Sequence, residues 1–180
     1  MEKPEIMYQS EGKAPNGDPF LTVKRARGYY EYSERPGLDS IAFILYDSTK
    51  PNCFCLINEA KPPLDERTKT LATLTTAFGG SKDSNMPSLL ICKQEVLEEA
   101  GYNIPIKNIH YVGCTMVSTQ SSQFLEAYLV DVTNLQPTYT TECDSTPNEY
   151  LTWLTPEQLI MNSDWKSIFI LTKSKEKGLL

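Results

Sequence analysis

The sequence predicts a single domain of the α+β class, and three features of its residue pattern support that prediction. Two apolar runs, residues 39–47 and 52–60, have the length and composition of buried strands. A helical pattern that begins near residue 87 ends at a glycine, and two more helical patterns close the chain. With 180 residues, 40% of them apolar, the chain is long enough to bury one substantial core.

The N-terminal region predicts a small antiparallel sheet. Two strand-like runs cover residues 20–26 and 28–34, are divided by Gly28, and end before Pro36 and Gly37. We expect both strands to belong to an extension that precedes the main domain.

The next elements predict the centre of a larger sheet. The runs at 39–47 and 52–60 are joined by a short polar turn that contains a proline and an asparagine, which suits a hairpin. Residues 61–70 are polar and rich in proline, so we expect a loop there. A short strand at 71–78 then leads into a pair of glycines at positions 79 and 80.

The first helix is predicted from Pro87 to about Ala100. Proline is favoured at the first helical position, and Gly101 is placed to end the helix in a left-handed conformation. We expect its buried side to be formed by Leu89, Leu90, Val96, Leu97 and Ala100.

The rest of the chain predicts three strands followed by two helices. The strands cover about 108–117, 123–132 and 149–154, and a capping box from Thr155 to Gln158 opens a short helix. The last helix carries an apolar stripe at helical spacing, which predicts core packing. That stripe consists of Trp165, Ile168, Phe169 and Thr172.

Composition and charge exclude several classes of function. The formal net charge is −6, and no basic stripe is present, so nucleic acid is not an expected partner. No run of about 18 apolar residues is long enough to cross a bilayer, and the first residues lack the apolar segment of a signal peptide. We therefore expect a cytoplasmic protein with no membrane partner.

The cysteines and the histidine do not predict a reactive site. The five cysteines include no C-x-x-C pair and are odd in number, so they are not a disulfide framework. The single histidine, His110, lies in a predicted strand and argues against a histidine metal site or a serine triad.

Three glutamates in the first helix share one face. Glu95, Glu98 and Glu99 stand at i, i+3 and i+4, where like charges oppose helix formation by about 0.2–0.5 kcal/mol per pair. A divalent cation, which prefers oxygen ligands, would relieve that repulsion. The alternative is an ordinary solvated acidic face.

The strand, the glycine pair, the loop and the helix together resemble the Nudix box, whose pattern is G-x5-E-x7-R-E-U-x-E-E-x-G-U, with U a bulky apolar residue. Two positions depart from it: Met86 replaces the first glutamate and Gln94 replaces the arginine, while Tyr102 takes the last apolar place. The positions in register are Gly80, Glu95, Val96, Glu98, Glu99 and Gly101.

This resemblance implies a Nudix fold, an α/β/α sandwich in which a mixed central sheet lies between helices. Residues 1–36 would then be the N-terminal β extension and a possible dimerisation element, and residues 37–180 the hydrolase domain. In the family, Glu95 and Glu99 would be direct metal ligands, Glu98 a further or water-mediated ligand with a catalytic part, and the carbonyl of Gly79 another ligand. The expected ion is Mg²⁺, with Mn²⁺ as the alternative.

Over residues 20–160 the chain is similar to the ADP-sugar and UDP-sugar pyrophosphatase branch of the Nudix hydrolases. The resemblance places Tyr30 at the base-stacking aromatic position and Arg35 at a basic position, and Lys61 replaces an arginine that would grip the diphosphate. Each of these residues also has an ordinary interpretation as sheet packing or as a solvated charge.

Two further assignments concern the general base and the sugar. Glu149 matches the acidic loop residue that would be the general base, and Glu142 is the alternative. Gln123 belongs to a polar group with Gln120, Ser121 and Ser122, which offers neutral hydrogen bonds where the branch has Pro-Gly and an acid.

The resemblance therefore implies a magnesium-dependent hydrolase that cuts a nucleoside diphosphate sugar such as ADP-ribose into a nucleoside monophosphate and a sugar phosphate. It also implies a homodimer in which the N-terminal sheet of one chain completes the pocket of the other. Two alternatives stay open. One is a nucleotide-binding sensor with little turnover, and the other is a Nudix hydrolase that acts on dinucleotides or dinucleoside polyphosphates.

Overall fold

The computed structural model describes residues 3–13, 17–35, 39–60, 67, 69, 73–82, 85–138 and 151–180. The predicted loop at 61–70 lies outside this set except at positions 67 and 69. Within the described residues the strands are β1 (Glu5–Gln9), β2 (Thr22–Ala26), β3 (Tyr30–Glu34), β4 (Ser40–Tyr46), β5 (Phe54–Ala60), β6 (Thr73–Thr76), β7 (Phe78–Ser81), β8 (Ile109–Met116), β9 (Phe124–Asp131) and β10 (Leu151–Leu154). The α-helices are α1 (Ser88–Ala100), α2 (Pro156–Asn162) and α3 (Trp165–Glu176), and a 3-10 turn spans Ile106–Asn108.

The strands form two sheets. The first is antiparallel, in the order β1-β2-β3. The second has the order β10-β5-β4-β9-β8, with β6 beside β5 and β7 beside β4. Strands β4 and β9 run parallel, and the other pairings of that sheet are antiparallel. The predicted mixed central sheet and N-terminal antiparallel sheet are both confirmed.

Both faces of the main sheet are covered. On one face Ile41 and Phe43 of β4 pack against Val96 and Ala100 of α1. The opposite face belongs to a second cluster of buried residues, which joins β4 to α2 and α3. Because β4 is buried on both faces, its sequence is a continuous apolar run rather than an alternating one. The predicted α/β/α sandwich is therefore confirmed.

Helix α1 begins just after Pro87 and ends where Gly101 adopts φ 73°. The N–H of Gly101 donates to the carbonyl of Leu97 at 3.0 Å, and the N–H of Tyr102 donates to Val96. The predicted buried side is correct only in part, since Leu90 is exposed. The buried residues are Ile91, Cys92, Val96 and Ala100.

The predicted core stripe of α3 is correct only in part, because Ile168 and Phe169 pack against the core but the other two residues do not. Thr172 and Trp165 are exposed, whereas Ser167 and Ser174 are buried. The two serines are small enough to let the helix approach the sheet closely, and both hydroxyls find hydrogen-bond acceptors, Asp164 and the carbonyl of Ile170. The fully buried residues of α3 therefore stand two positions after those of the stripe that apolar periodicity alone predicted.

The first strand was not predicted. All five residues of β1 are exposed, so its sequence carries no alternation between a buried and a solvated face. The predicted single strand at 71–78 is two strands, because the chain leaves β5 after β6 and pairs with β4 as β7. None of the helices in the described ranges has the length and apolar character that crossing a membrane requires.

Candidate functional site

A cavity of about 670 Å³ opens at the end of the main sheet where β4 and β9 begin. Strand β7 and helix α1 form one wall, and the first residues of α3 form another. Its lining residues carry most of the groups that the sequence singled out. They are Arg35, Ser40, Ile41, Gly79, Gly80, Ser81, Met86, Ile91, Gln94, Glu95, Glu98, Val117, Gln123, Leu125, Trp165 and Lys166.

Gly80 and Glu95 are packed against each other. Gly80 pairs with Ile41 of β4, and its missing side chain would point toward α1. A Cβ atom at this position would lie 2.7 Å from Cγ of Glu95 and closer still to the carboxylate. Because Gly80 has no side chain, the side chain of Glu95 can lie directly against strand β7.

Glu99 lies deeper than Glu95, between α1 and β7. Burial, together with the negative charges of Glu95 and Glu59, raises the pKa of Glu99 to about 8, although a backbone hydrogen bond from Gly79 opposes that rise. Its Oε2 atom is buried and has no hydrogen-bond partner. A buried carboxylate oxygen left in this state fits a cation as its missing partner.

Glu98 is held by the residue that replaces the family arginine. Nε2 of Gln94 donates a hydrogen bond of 2.7 Å to Oε1 of Glu98, one helical turn farther along. A neutral amide thus orients the glutamate where a charged guanidinium was expected, and such a bond is weaker than a charge-assisted one. The amide of Gln94 therefore compensates in part for the missing arginine.

The three glutamates offer oxygen atoms along one face of α1. Among the residues that the structure describes, no three histidine, cysteine, aspartate or glutamate side chains converge as a ready metal cluster. Mg²⁺ keeps several waters and shares its coordination with substrate phosphates, so it does not require a closed cage of protein ligands. Gly79, whose carbonyl was predicted as a further ligand, also lines the cavity.

The predicted substrate-binding residues separate into three groups. Arg35 and Gln123 line the cavity. Tyr30 does not line it, and its hydroxyl donates to the carbonyl of Thr119 instead. Lys61 and both candidate bases, Glu149 and Glu142, lie outside the described residues, so their roles stay predictions.

The polar segment around residues 118–123 is tied to β3. The N–H of Ser33 donates to the carbonyl of Gln120 at 2.8 Å, and the N–H of Ser122 donates to the carbonyl of Ser33 at 3.0 Å. These backbone hydrogen bonds connect the segment to the N-terminal sheet. Of its six polar side chains, only that of Gln123 lines the cavity.

Sequence reasoning did not place Trp165 and Lys166 in the site, although both line the cavity. They occupy the first turn of α3, and Asp164 just before them caps that helix. The sequence does show an aspartate followed by a tryptophan at the start of a predicted helix. Whether that tryptophan faces a cavity depends on how the helix packs, which the sequence does not reveal.

A polar cluster on β9 anchors the start of α1. Oε1 of Glu126 accepts hydrogen bonds from Lys82 at 2.5 Å and from Ser88 at 2.9 Å, and Oε2 accepts one from Tyr128 at 2.9 Å. Burial opposes ionisation, yet these three donors hold the pKa of Glu126 below its ordinary value. The cluster fixes the helix that carries the acidic face.

Comparison with known proteins bears on the fold. No family model and no curated protein sequence matches the chain. Among solved structures, the chain is similar to one titled an ADP compounds hydrolase, with a TM-score of 0.65 and 15% sequence identity over 99% of this chain and 97% of the other. That structure is a Nudix enzyme, and the likeness shows that this chain has the Nudix fold.

Proposed function

We propose that the protein is a magnesium-dependent hydrolase that cuts the diphosphate of a nucleoside diphosphate sugar such as ADP-ribose. The observation that carries the proposal is the acidic face of α1 beside a cavity, with Gly80 leaving space for Glu95. The similar solved structure, whose title names it a hydrolase of ADP compounds, supports the same class of substrate.

Glu95 and Glu99 are the proposed direct ligands of the cation, and Glu98 supplies a further or water-mediated contact. The unpartnered Oε2 of Glu99 and the space at Gly80 fit that role. When bound, Mg²⁺ would neutralise charge on the diphosphate and lower the pKa of a coordinated water. Mn²⁺ is the alternative ion.

The residues of the chain would bind and orient the substrate. Arg35 and Lys61 are the proposed contacts of the diphosphate, and Gln123 offers a neutral hydrogen bond to the sugar. In the reaction, the oxygen of water forms a bond to one phosphorus while the bridging P–O bond breaks. Glu149, or Glu142 in its place, would take the proton of the attacking water, and the products are a nucleoside monophosphate and a sugar phosphate.

A homodimer is the proposed assembly, and exposed apolar side chains on the N-terminal sheet support it. Ile6 and Tyr8 of β1 are each 55% exposed, and Tyr29 is 75% exposed. Exposed apolar side chains of this size on a small sheet suit a protein interface. Sedimentation equilibrium should give twice the mass of the chain, and Ile6→Asp with Tyr8→Asp should return it to the monomer mass.

A nucleotide sensor with little turnover is the second candidate function. The neutral bond from Gln94 to Glu98 favours it, because a weakly supported carboxylate holds a cation less well. The retention of all three glutamates favours the enzyme.

The deciding experiment incubates the protein with Mg²⁺ and ADP-ribose, UDP-glucose, NADH or a diadenosine polyphosphate, and separates the nucleotides by chromatography. The enzyme proposal expects AMP and ribose 5-phosphate from ADP-ribose. Products from the dinucleotides alone would reassign the substrate class. Measurable binding without any cleavage would establish the sensor instead.

A further inference from the structure

We propose that Trp165, the first residue of α3, is the aromatic platform on which the base of the substrate stacks. The inference rests on the proposed function and names the residue that gives the site its preference for a nucleotide.

The exposure of Trp165 first argues against a packing role. Its side chain is 44% exposed and lines the cavity, whereas the buried residues of α3 are Ser167, Ile170, Leu171 and Ser174. A large indole that is left half in water forfeits much of the free energy that burial would supply. The exposed ring is therefore available to a ligand that enters the cavity.

The indole is also held on a rigid support. Asp164, its neighbour in the chain, accepts hydrogen bonds from the N–H and the hydroxyl of Ser167 at 3.1 and 2.8 Å. The same carboxylate accepts a bond from the hydroxyl of Thr76 at 2.8 Å, and the N–H of Asp164 donates to the carbonyl of Thr75. The start of α3 is thus fastened to β6, so little conformational entropy is lost when a base stacks on the ring.

Charge around the indole matches a base that is joined to phosphates. Lys166 and Arg35 line the cavity together with Trp165, and the carboxylates of Glu95 and Glu98 lie on the wall formed by α1. Lys166 is also within 3.4 Å of the carboxylate of Asp164. A cavity that combines an aromatic ring, two cations and a group of carboxylates suits a planar base attached to a diphosphate.

Tyr30 is the competing residue, since the sequence placed it at the base-stacking position. Its hydroxyl donates to the carbonyl of Thr119, and its ring is not part of the cavity lining. Within one chain, Tyr30 therefore joins β3 to the segment that follows β8, and Trp165 is the aromatic residue among the described residues that line the cavity.

The test uses the two tryptophans of the chain. Trp153→Phe leaves Trp165 as the sole tryptophan, and its fluorescence reports on the cavity directly. The ligand is an ADP-ribose analogue in which a methylene group replaces the bridging oxygen, so that it binds with Mg²⁺ without being cut. Methylene bisphosphonate, which has no base, is the control ligand. We expect the analogue to quench the emission saturably and the bisphosphonate to leave it unchanged.

Matched variants then measure affinity by calorimetry. Stacking of one base on an aromatic ring corresponds to a change in Kd of about 5-fold to 160-fold. Trp165→Leu should weaken binding of the analogue by that factor, Trp165→Phe by much less, and Tyr30→Leu by less than about twofold. Circular dichroism and thermal unfolding check that each variant is folded.

Three results would overturn the inference. An unchanged Kd in Trp165→Leu would remove Trp165 from the site while leaving the proposed function intact. A large loss in Tyr30→Leu alone would return the base to Tyr30. If the unmodified protein neither binds the analogue nor cuts ADP-ribose, the proposed function fails, and this inference fails with it.

Discussion

The side chain of Glu95 occupies the space that a side chain at Gly80 would need, so that a Cβ atom there would stand 2.7 Å from Cγ of Glu95. This relationship couples strand β7 to the acidic face of α1. It gives a physical reason why a glycine at position 80 accompanies a glutamate fifteen positions later: the strand leaves the space that the glutamate side chain fills.

Gly80→Ala is the most local test of that coupling. The added methyl group should displace the carboxylate of Glu95, and a misplacement of about 1 Å lowers turnover by about 100-fold in comparable sites. Gly113→Ala is the matched control, because its Cβ would meet the Phe169 ring at an ordinary 3.4 Å. Equal hydrolysis of ADP-ribose by the two variants would show that the packing does not position Glu95.

The hydrogen bond from Gln94 to Glu98 predicts opposite effects for two substitutions. Gln94→Ala removes the donor, so the affinity for Mn²⁺ should fall several-fold. Gln94→Arg supplies a positively charged donor, so this variant should bind Mn²⁺ at least as tightly as the unmodified protein. Titration with Mn²⁺ followed by electron paramagnetic resonance measures both, and identical affinities in the three proteins would contradict the orienting role.

The raised pKa of Glu99 predicts how the stability of the metal-free protein changes with pH. The pKa is about 8 in the folded protein against 4.5 as its ordinary value, so folding favours the protonated acid. The unfolded chain loses that proton above about pH 4.5, and stability therefore falls as pH rises from about 4.5 to about 8.

Glu99→Gln should remove this dependence. In urea denaturation without metal at pH 7.5, we expect it to stabilise the protein by at least about 1 kcal/mol, and at pH 4 to have little effect. Glu176→Gln, at the exposed last residue of α3, controls for the loss of one carboxylate. A destabilised Glu99→Gln at pH 7.5 would contradict the burial of an unpaired acid at this position.

The cluster around Glu126 predicts the reverse pH dependence. Since its donors lower the pKa of Glu126, its contribution to stability is present at neutral pH and is lost as pH falls through the folded pKa. Glu126→Gln should cost about 1 kcal/mol near pH 7, and the cost should shrink as pH falls from the ordinary value of 4.5 through the lowered pKa of the folded protein. Ser88→Ala, which removes one donor, should cost less, and no cost in either variant would show that the cluster does not anchor α1.

The parts of the fold that follow from local pattern were predictable. Strands β4 and β5, the end of α1 at Gly101 and the capping box at Thr155 each depend on residues close together in the chain, and the structure has all of them. The shared face of the three glutamates likewise follows from helical spacing alone.

Features that depend on distant packing were not predictable. The rotation of α3 is decided by how Ser167 and Ser174 fit against the sheet, so the sequence assigned Trp165 to the core rather than to the cavity. The hydrogen-bond donors of Glu126 come from a loop, a helix and its own strand. Their convergence on one carboxylate does not follow from any spacing in the sequence. Strand β1 buries none of its residues, so its pattern carried no signal.

The central claim is that Glu95, Glu98 and Glu99 hold a divalent cation, and Mn²⁺ binding measured by electron paramagnetic resonance tests it most directly. The account predicts saturable binding to the unmodified protein, with loss of that site in the folded variant in which all three glutamates are replaced by glutamine. Equal binding by the two proteins, or no binding to the unmodified protein at millimolar Mn²⁺, would contradict it.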